Sequence, residues 1–326
     1  MKRRTLGKSG LQVSEIGLGC WQLGGDFGAI DDSWAMATLE EATRAGVSFF
    51  DTADVYGDGR SEELIGRYVG QSGATPVVAT KVGRSAKAYP DKYDYQNIRA
   101  HLTASAKRLG VETLDLIQLH CVPIDVLRHG DLFATMDRLK AEGLCANWGA
   151  SVETIEEAKI CLQQENITSL QIIFNLFRQD AGTELFAEAT AANVGIIVRL
   201  PLASGLLTGK FAADHLFEAS DHRNYNRDGA AFSVGETFSG IALAKGVELT
   251  QELQAFVPEG WTLADFSLRW ILDHPAVSSV IAGCSRPQQV AANALVSQLP
   301  ALSQSVHSEL KAFYDEKVRA HIRSPI

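Results

Sequence analysis

Eight short apolar runs, each followed by a segment of helical periodicity, leave this chain few folds to choose from. The runs are "IGLGCW" (16–21), "VSFFD" (47–51), "VVATKV" (77–82), "TLDLIQLH" (113–120), "CANWGAS" (145–151), "LQIIFN" (170–175), "GIIVRLP" (195–201) and "SSVIAG" (278–283). They are continuous rather than alternating, as strands covered on both faces are. Between them lie segments such as "SWAMATLEEATRAG" and "NIRAHLTASAKRLG", with charged faces and a closing Gly that suits a helix C-terminus. Repeated βα units join parallel strands by right-handed crossovers, and eight of them close naturally into a TIM-type (β/α)₈ barrel. The alternative is a doubly wound open sheet, but no G-x-G-x-x-G follows an early strand. The opening "RRTLGKSGLQVSEIG" reads as a β-hairpin placed to plug the barrel's bottom. Residues 205–260 form a long insertion after the seventh strand, where insertions cover ligands. The plainer reading is an outer helix with an irregular lead-in. No low-complexity linker divides the chain, so residues 1–326 are expected to be one domain.

The net charge of -9 argues against nucleic acid or an anionic membrane as main partner. No apolar run approaches the roughly 20 residues of a spanning helix. The basic N-terminus lacks the apolar stretch of a signal peptide. Five cysteines are scattered without a C-x-x-C pair, which predicts reduced thiols, a cytoplasmic protein and no metal site.

Chemistry in a barrel belongs at the C-terminal ends of the strands. Asp51 ends the second run, Lys81 lies in the third, His120 ends the fourth, and Tyr56 follows on the turn after the second. Taken singly, an Asp or His at a strand end is usually structural. A Lys within an apolar strand requires a partner, and Asp51, one strand away, is the carboxylate that can supply it. Together the four point to a site. The ammonium is expected to lower the phenol pKa from about 10, with the carboxylate holding it in place. The histidine can hydrogen-bond a carbonyl oxygen, so the group can protonate that oxygen as hydride reaches its carbon. Ser61 is expected to cap the following helix, with Glu62 and Glu63 near its positive end.

The segments "GLGCWQLGG", "FFDTADVYGDGRSEELIG", "VVATKVG", "LDLIQLH", "LPLASGLLTGKF" and "VIAGCSRPQQVAAN" appear in the order of the aldo-keto reductase family. The chain resembles that family nearly end to end. The resemblance implies a (β/α)₈ fold and a catalytic tetrad of Asp51, Tyr56, Lys81 and His120. It further implies a nicotinamide cofactor, usually NADPH, bound extended and without a Rossmann domain. Ser151 and Gln171 match residues that hold the carboxamide. The backbone from Leu202 through Ser204 to Leu206, followed by Lys210, matches the pyrophosphate cradle. Gly283, Ser285, Arg286, Gln289 and Asn293 match the segment that grips the adenosine and its 2′-phosphate. Backbone N–H groups at this helix start suit an anion, and the Arg286 fork suits phosphate.

Two positions depart from the family. Val152 stands where Asn is usual, and Arg199 stands where many members stack an aromatic ring on the nicotinamide. A guanidinium can stack, but it adds positive charge beside a ring that becomes cationic on oxidation.

The leading expectation is an NADPH-dependent reductase of aldehydes or ketones, or an oxidant of a sugar or polyol in reverse. One alternative is a nucleotide-binding redox sensor like the channel β-subunits related to this fold. Another is a Schiff-base enzyme with Lys81 as nucleophile. Specificity is expected in residues 83–95, 121–130 and 205–260. Trp21, Phe27, Tyr89 and Tyr93 are placed either to line an apolar mouth or to pack.

Overall fold

The computed structural model of the chain describes residues 1–25, 27–28 and 30–326. A short antiparallel pair, β1 (Arg3–Thr5) and β2 (Gln12–Ser14), precedes eight parallel strands. These are β3 (Ile16–Gly19), β4 (Phe49–Asp51), β5 (Val77–Val82), β6 (Leu114–His120), β7 (Cys145–Ser151), β8 (Ile167–Ile173), β9 (Gly195–Arg199) and β10 (Val277–Gly283). They close in the order β10-β3-β4-β5-β6-β7-β8-β9, the expected barrel. β8 starts three residues before the apolar run, because Thr168 and Ser169 are buried strand residues. The Thr168 hydroxyl is satisfied by the Trp148 carbonyl at 3.0 Å.

Side-chain alternation along the strands sorts the residues into layers. Phe49, Ala79, Leu116, Ile197 and Ile281 point inward near the bottom, where Leu6 and Val13 of the hairpin join them in one apolar plug. Two residues further along these strands come Asp51, Lys81, Gln118, Arg199 and Gly283, so the same parity that fills the bottom with hydrocarbon lines the mouth with polar groups. The opposite parity, including Phe50, Ile117, Leu119, Trp148, Leu170, Ile196 and Val280, packs under the outer helices. Each such buried side chain contributes about 1.5–3 kcal/mol. Where the interior is tightest only hydrogen fits: a Cβ on Gly149 would lie 2.2 Å from Ser169 Oγ.

The helix after β4, Arg60–Ser72, starts from Gly59 at φ 94. Ser61 is not its cap. Its hydroxyl donates to the Cys20 carbonyl at 2.9 Å and accepts from Thr52 at 2.8 Å, pinning the helix to the barrel top. Glu62 is also buried, held by Thr80 and Arg108. The insertion after β9 is partly ordered into short helical turns at Ala203–Thr208, His222–Tyr225, Val234–Glu236 and Phe238–Gly240. The helices Leu243–Leu253 and Leu263–Leu272 follow before β10. The stretch is therefore both a covering loop and outer helices. All five cysteines are buried and unpaired. No helix among the described residues is long and apolar enough to cross a membrane.

Candidate active site

Register places the mouth residues side by side. His120 lies opposite Ser151, Ser151 opposite Gln171, and Ile173 opposite Arg199 on successive strands. Lys81, 1% exposed, donates from Nζ to Asp51 Oδ1 at 2.5 Å, to the Thr52 carbonyl at 2.9 Å and to Tyr56 Oη at 3.2 Å. The other Asp51 oxygen accepts from Gln171 at 2.7 Å and Gln118 at 3.1 Å. Both charges of the pair are thus saturated without water, as a buried pair requires. Tyr56 is packed face to face with Trp21 at 5.7 Å and edge-on to His120 at 5.9 Å.

Burial would lower the Lys81 pKa, but the Asp51 carboxylate and Tyr56 outweigh it, so the ammonium is held above its usual range. Burial pushes the Tyr56 phenol up to about 12, against the pull of Lys81. The sequence expectation of a phenol lowered toward neutrality is therefore corrected: the resting phenol keeps its proton, and Lys81 only moderates the effect of desolvation. Burial and the neighbouring Arg84, Lys81 and Arg199 charges hold His120 well below its ordinary value, hence neutral. Its Nδ1 is buried with no partner.

A groove of about 460 Å³ starts at Asp51, Tyr56 and His120 and runs past Ser151, Gln171 and Arg199. It continues along Leu202, Ser204 and Lys210 to Gly283, Ser285, Gln289 and Asn293. Among the expected cofactor residues, Arg286 is exposed outside the groove lining, and Leu206, expected there through its backbone, has its side chain buried in the core at 1% exposure. The N–H groups of Ser285 and Arg286, expected to face an anion, are taken by Gln289 Oε1 at 2.9 and 3.0 Å. A second cavity of about 350 Å³ adjoins Tyr56 and His120 and is lined by Trp21, Arg84, Tyr89 and Phe232. Tyr89 thus faces a cavity, whereas Tyr93 packs, donating to the Gly83 carbonyl at 3.0 Å.

Sequence reasoning missed a charged cluster between these cavities. Glu236, from the insertion, meets Arg84 Nη1 at 2.8 Å and Arg199 Nη1 at 3.4 Å. Arg84 also reaches Glu153 at 3.4 Å. Burial raises the Glu236 carboxyl, but Arg84 and Arg199 overcome this and hold it at about 2. Burial and the Glu236 charge push Glu153 up to about 7. Arg199 Nη2 donates to the Val152 carbonyl at 3.0 Å, so the two departures from the family pattern are physically joined. Ligand atoms of Cys121, Glu153 and Glu236 lie within 4.8 Å of one another, but the Arg84 and Arg199 guanidiniums already serve as counter-charges to these carboxylates. Gln118 was also missed; its inward parity two residues before His120 was the available signal.

The site is thus an eight-stranded barrel whose mouth holds a buried lysine–carboxylate pair beside a tyrosine and a neutral histidine. The model of the Aldo/keto reductase family matches residues 15–315, and the chain belongs to that family of oxidoreductases. It is 29% identical to an uncharacterized oxidoreductase, YqkF, of Bacillus subtilis, over 96% of this chain and 95% of the relative. It is also 29% identical to a probable voltage-gated potassium channel subunit beta of Oryza sativa, over 97% and 98% of the two chains. Among solved structures, the holo form of the aldo-keto reductase AKR11C1 from Bacillus halodurans superposes with a TM-score of 0.78 at 25% identity, covering 96% of each chain. The glycerol dehydrogenase AKR11B4 from Gluconobacter oxydans gives 0.77 at 25% identity, covering 97% of this chain and 94% of that one.

Proposed function

We propose that this protein reduces the carbonyl of a small aldehyde or ketone, or oxidises a sugar or polyol in reverse, with NADPH as cofactor. The observation that carries the reading is the buried Lys81 Nζ shared between Asp51 and Tyr56 Oη, with Tyr56 bordering both cavities. The groove suits an extended dinucleotide. It is long, it carries Lys210 along its course, and it contains at Arg199 Nε a buried donor without a partner. Ser151 and Gln171 would hold the carboxamide, Lys210 the pyrophosphate, and Ser285, Gln289 and Asn293 the adenosine end. Arg286, exposed beside that end, is the candidate for a 2′-phosphate. Once bound, the cofactor supplies hydride.

The protein's own residues handle the proton. His120, neutral, hydrogen-bonds the substrate oxygen and orients it. Tyr56 gives its proton to that oxygen as charge develops there. A phenol of high resting pKa surrenders the proton only because Lys81 stabilises the phenolate that forms, and Asp51 keeps Lys81 charged. Gln118 and Gln171 hold Asp51, and Trp21 fixes the phenol ring. The substrate cavity, with Trp21, Tyr89 and Phe232 beside Arg84, favours a substrate with both an apolar and a polar part.

A nucleotide-binding role with little turnover is the second reading, favoured by the end-to-end likeness to a probable channel subunit. Consumption of NADPH across a panel of aldehydes and ketones separates the two. Turnover lost in Tyr56→Phe supports the reductase; binding of NADPH with no turnover on any carbonyl supports the second reading.

A further inference from the structure

The course of the groove fixes where a nicotinamide ring would lie. Hydride must depart next to a carbonyl carbon whose oxygen is at Tyr56 and His120. From there the groove passes over the ends of β7, β8 and β9, so Ser151, Gln171 and Arg199 are its walls at the ring. Arg199 is 8% exposed and cannot swing into solvent, being tied to the Val152 carbonyl at 3.0 Å and to Glu236 at 3.4 Å. Resting on the reading of this groove as a nicotinamide site, we propose that Arg199 makes the site hold the reduced cofactor in preference to the oxidised one.

The charge balance gives the sign. Reduction moves a hydride, two electrons with one proton, from the ring to the carbonyl carbon. A proton passes from Tyr56 to the oxygen, and water returns one to Tyr56. The substrate enters and leaves neutral, whereas the ring goes from neutral to singly positive. That new cation arises beside a fixed guanidinium in a poorly screened pocket, where like charges repel most strongly. The nearby charges do not cancel it fully. Lys81 is balanced by Asp51, and Arg84 and Arg199 share the Glu236 carboxylate. Glu153 contributes only a partial charge near neutral pH. An aromatic ring at position 199 would present its negative face to the same cation and act in the opposite sense.

Fluorescence titration with NADPH and with NADP⁺ tests this without turnover. Wild type is expected to bind NADPH the more tightly. In Arg199→Met the ratio of the NADP⁺ to the NADPH dissociation constant should fall about tenfold, equivalent to about 1.4 kcal/mol. Arg199→Lys should keep the ratio near that of wild type, because it keeps the charge. Glu236→Gln, which removes the counter-charge, should raise the ratio. The proposal is overturned by a ratio that Arg199→Met leaves unmoved, or by Arg199→Lys behaving like Arg199→Met. Should Arg199→Met fail to fold, Glu236→Gln decides, and a ratio that holds or falls there overturns the proposal. If wild type binds neither nucleotide, the cofactor reading fails and this inference fails with it. If wild type binds both and the variants do not move the ratio, only the inference fails.

Discussion

Replacing Lys81 with methionine removes the ammonium and leaves a side chain of similar length in the barrel. Asp51 then keeps its bonds from Gln171 at 2.7 Å and Gln118 at 3.1 Å but loses its cation, at 2% exposure. Removing one partner of a buried ion pair costs about 3–5 kcal/mol. The variant can escape part of this by protonating Asp51, which gives the effect a pH signature. In Lys81→Met a lone carboxylate is left buried, where the neutral form is favoured. The folded variant then binds more protons than the unfolded chain above the ordinary carboxyl range, so stability falls as pH rises there, at up to about 1.36 kcal/mol per unit. Urea unfolding of wild type, Lys81→Met, Asp51→Asn and the double variant at pH 5 and pH 8 measures it. The double variant has no buried charge and should be more stable at pH 8 than either single variant, with a coupling of about 3 kcal/mol, at the upper end of the range for contacting residues. A coupling below about 0.5 kcal/mol, or a Lys81→Met variant equally stable at both pH values relative to wild type, would refute the description of this pair as dry and mutually dependent.

Tyr56→Phe should lower carbonyl reduction by about 10²–10⁴-fold, the usual contribution of a general acid, while NADPH binding by fluorescence stays nearly unchanged. Arg286→Ala should weaken NADPH about tenfold, since a charge-assisted bond contributes about 1.5–3 kcal/mol; an equal loss for NADH would remove Arg286 as phosphate ligand. Glu153→Gln should remove a component of stability that wild type loses as pH climbs from the usual carboxyl range through about 7, because its folded-state pKa is raised; unchanged pH profiles in thermal unfolding would contradict that. Val152→Asn should speed hydride transfer in single-turnover kinetics more than it tightens NADPH, by restoring a carboxamide partner; slower transfer in a well-folded variant would show that the Arg199–Val152 contact has made valine the better fit.

The barrel was legible because its strands are buried on both faces and announce themselves as apolar runs. Lys81 stood out for the same reason, as a charge where hydrocarbon was expected. The start of β8 was hidden because Thr168 and Ser169 are polar yet buried inside the fold. The Arg84–Glu236–Arg199 cluster was not legible at all: 152 residues separate Arg84 from Glu236, and a glutamate in a polar insertion carries no sign of burial. Arg199 was visible as a departure, but its bond to the Val152 carbonyl required coordinates. The Tyr56 pKa was misjudged because a sequence displays the neighbouring charge and conceals the extent of desolvation, here the larger influence.

The seam of the barrel lies between β3 and β10, where Ile16 pairs with Val280. During synthesis the first barrel strand emerges long before the last, so a ribosome-bound chain carries an open sheet whose β3 edge stays naked until nearly the whole protein has been made. The hairpin plug is in the same position, because Leu6 must wait for Ile197 and Ile281 to reach it. Contacts this distant in sequence slow folding, and an unpaired edge invites association with other chains. Truncation from the C-terminal side is therefore expected to yield insoluble fragments rather than smaller barrels, and the yield of soluble protein should depend on chaperones that shield that edge until β10 arrives.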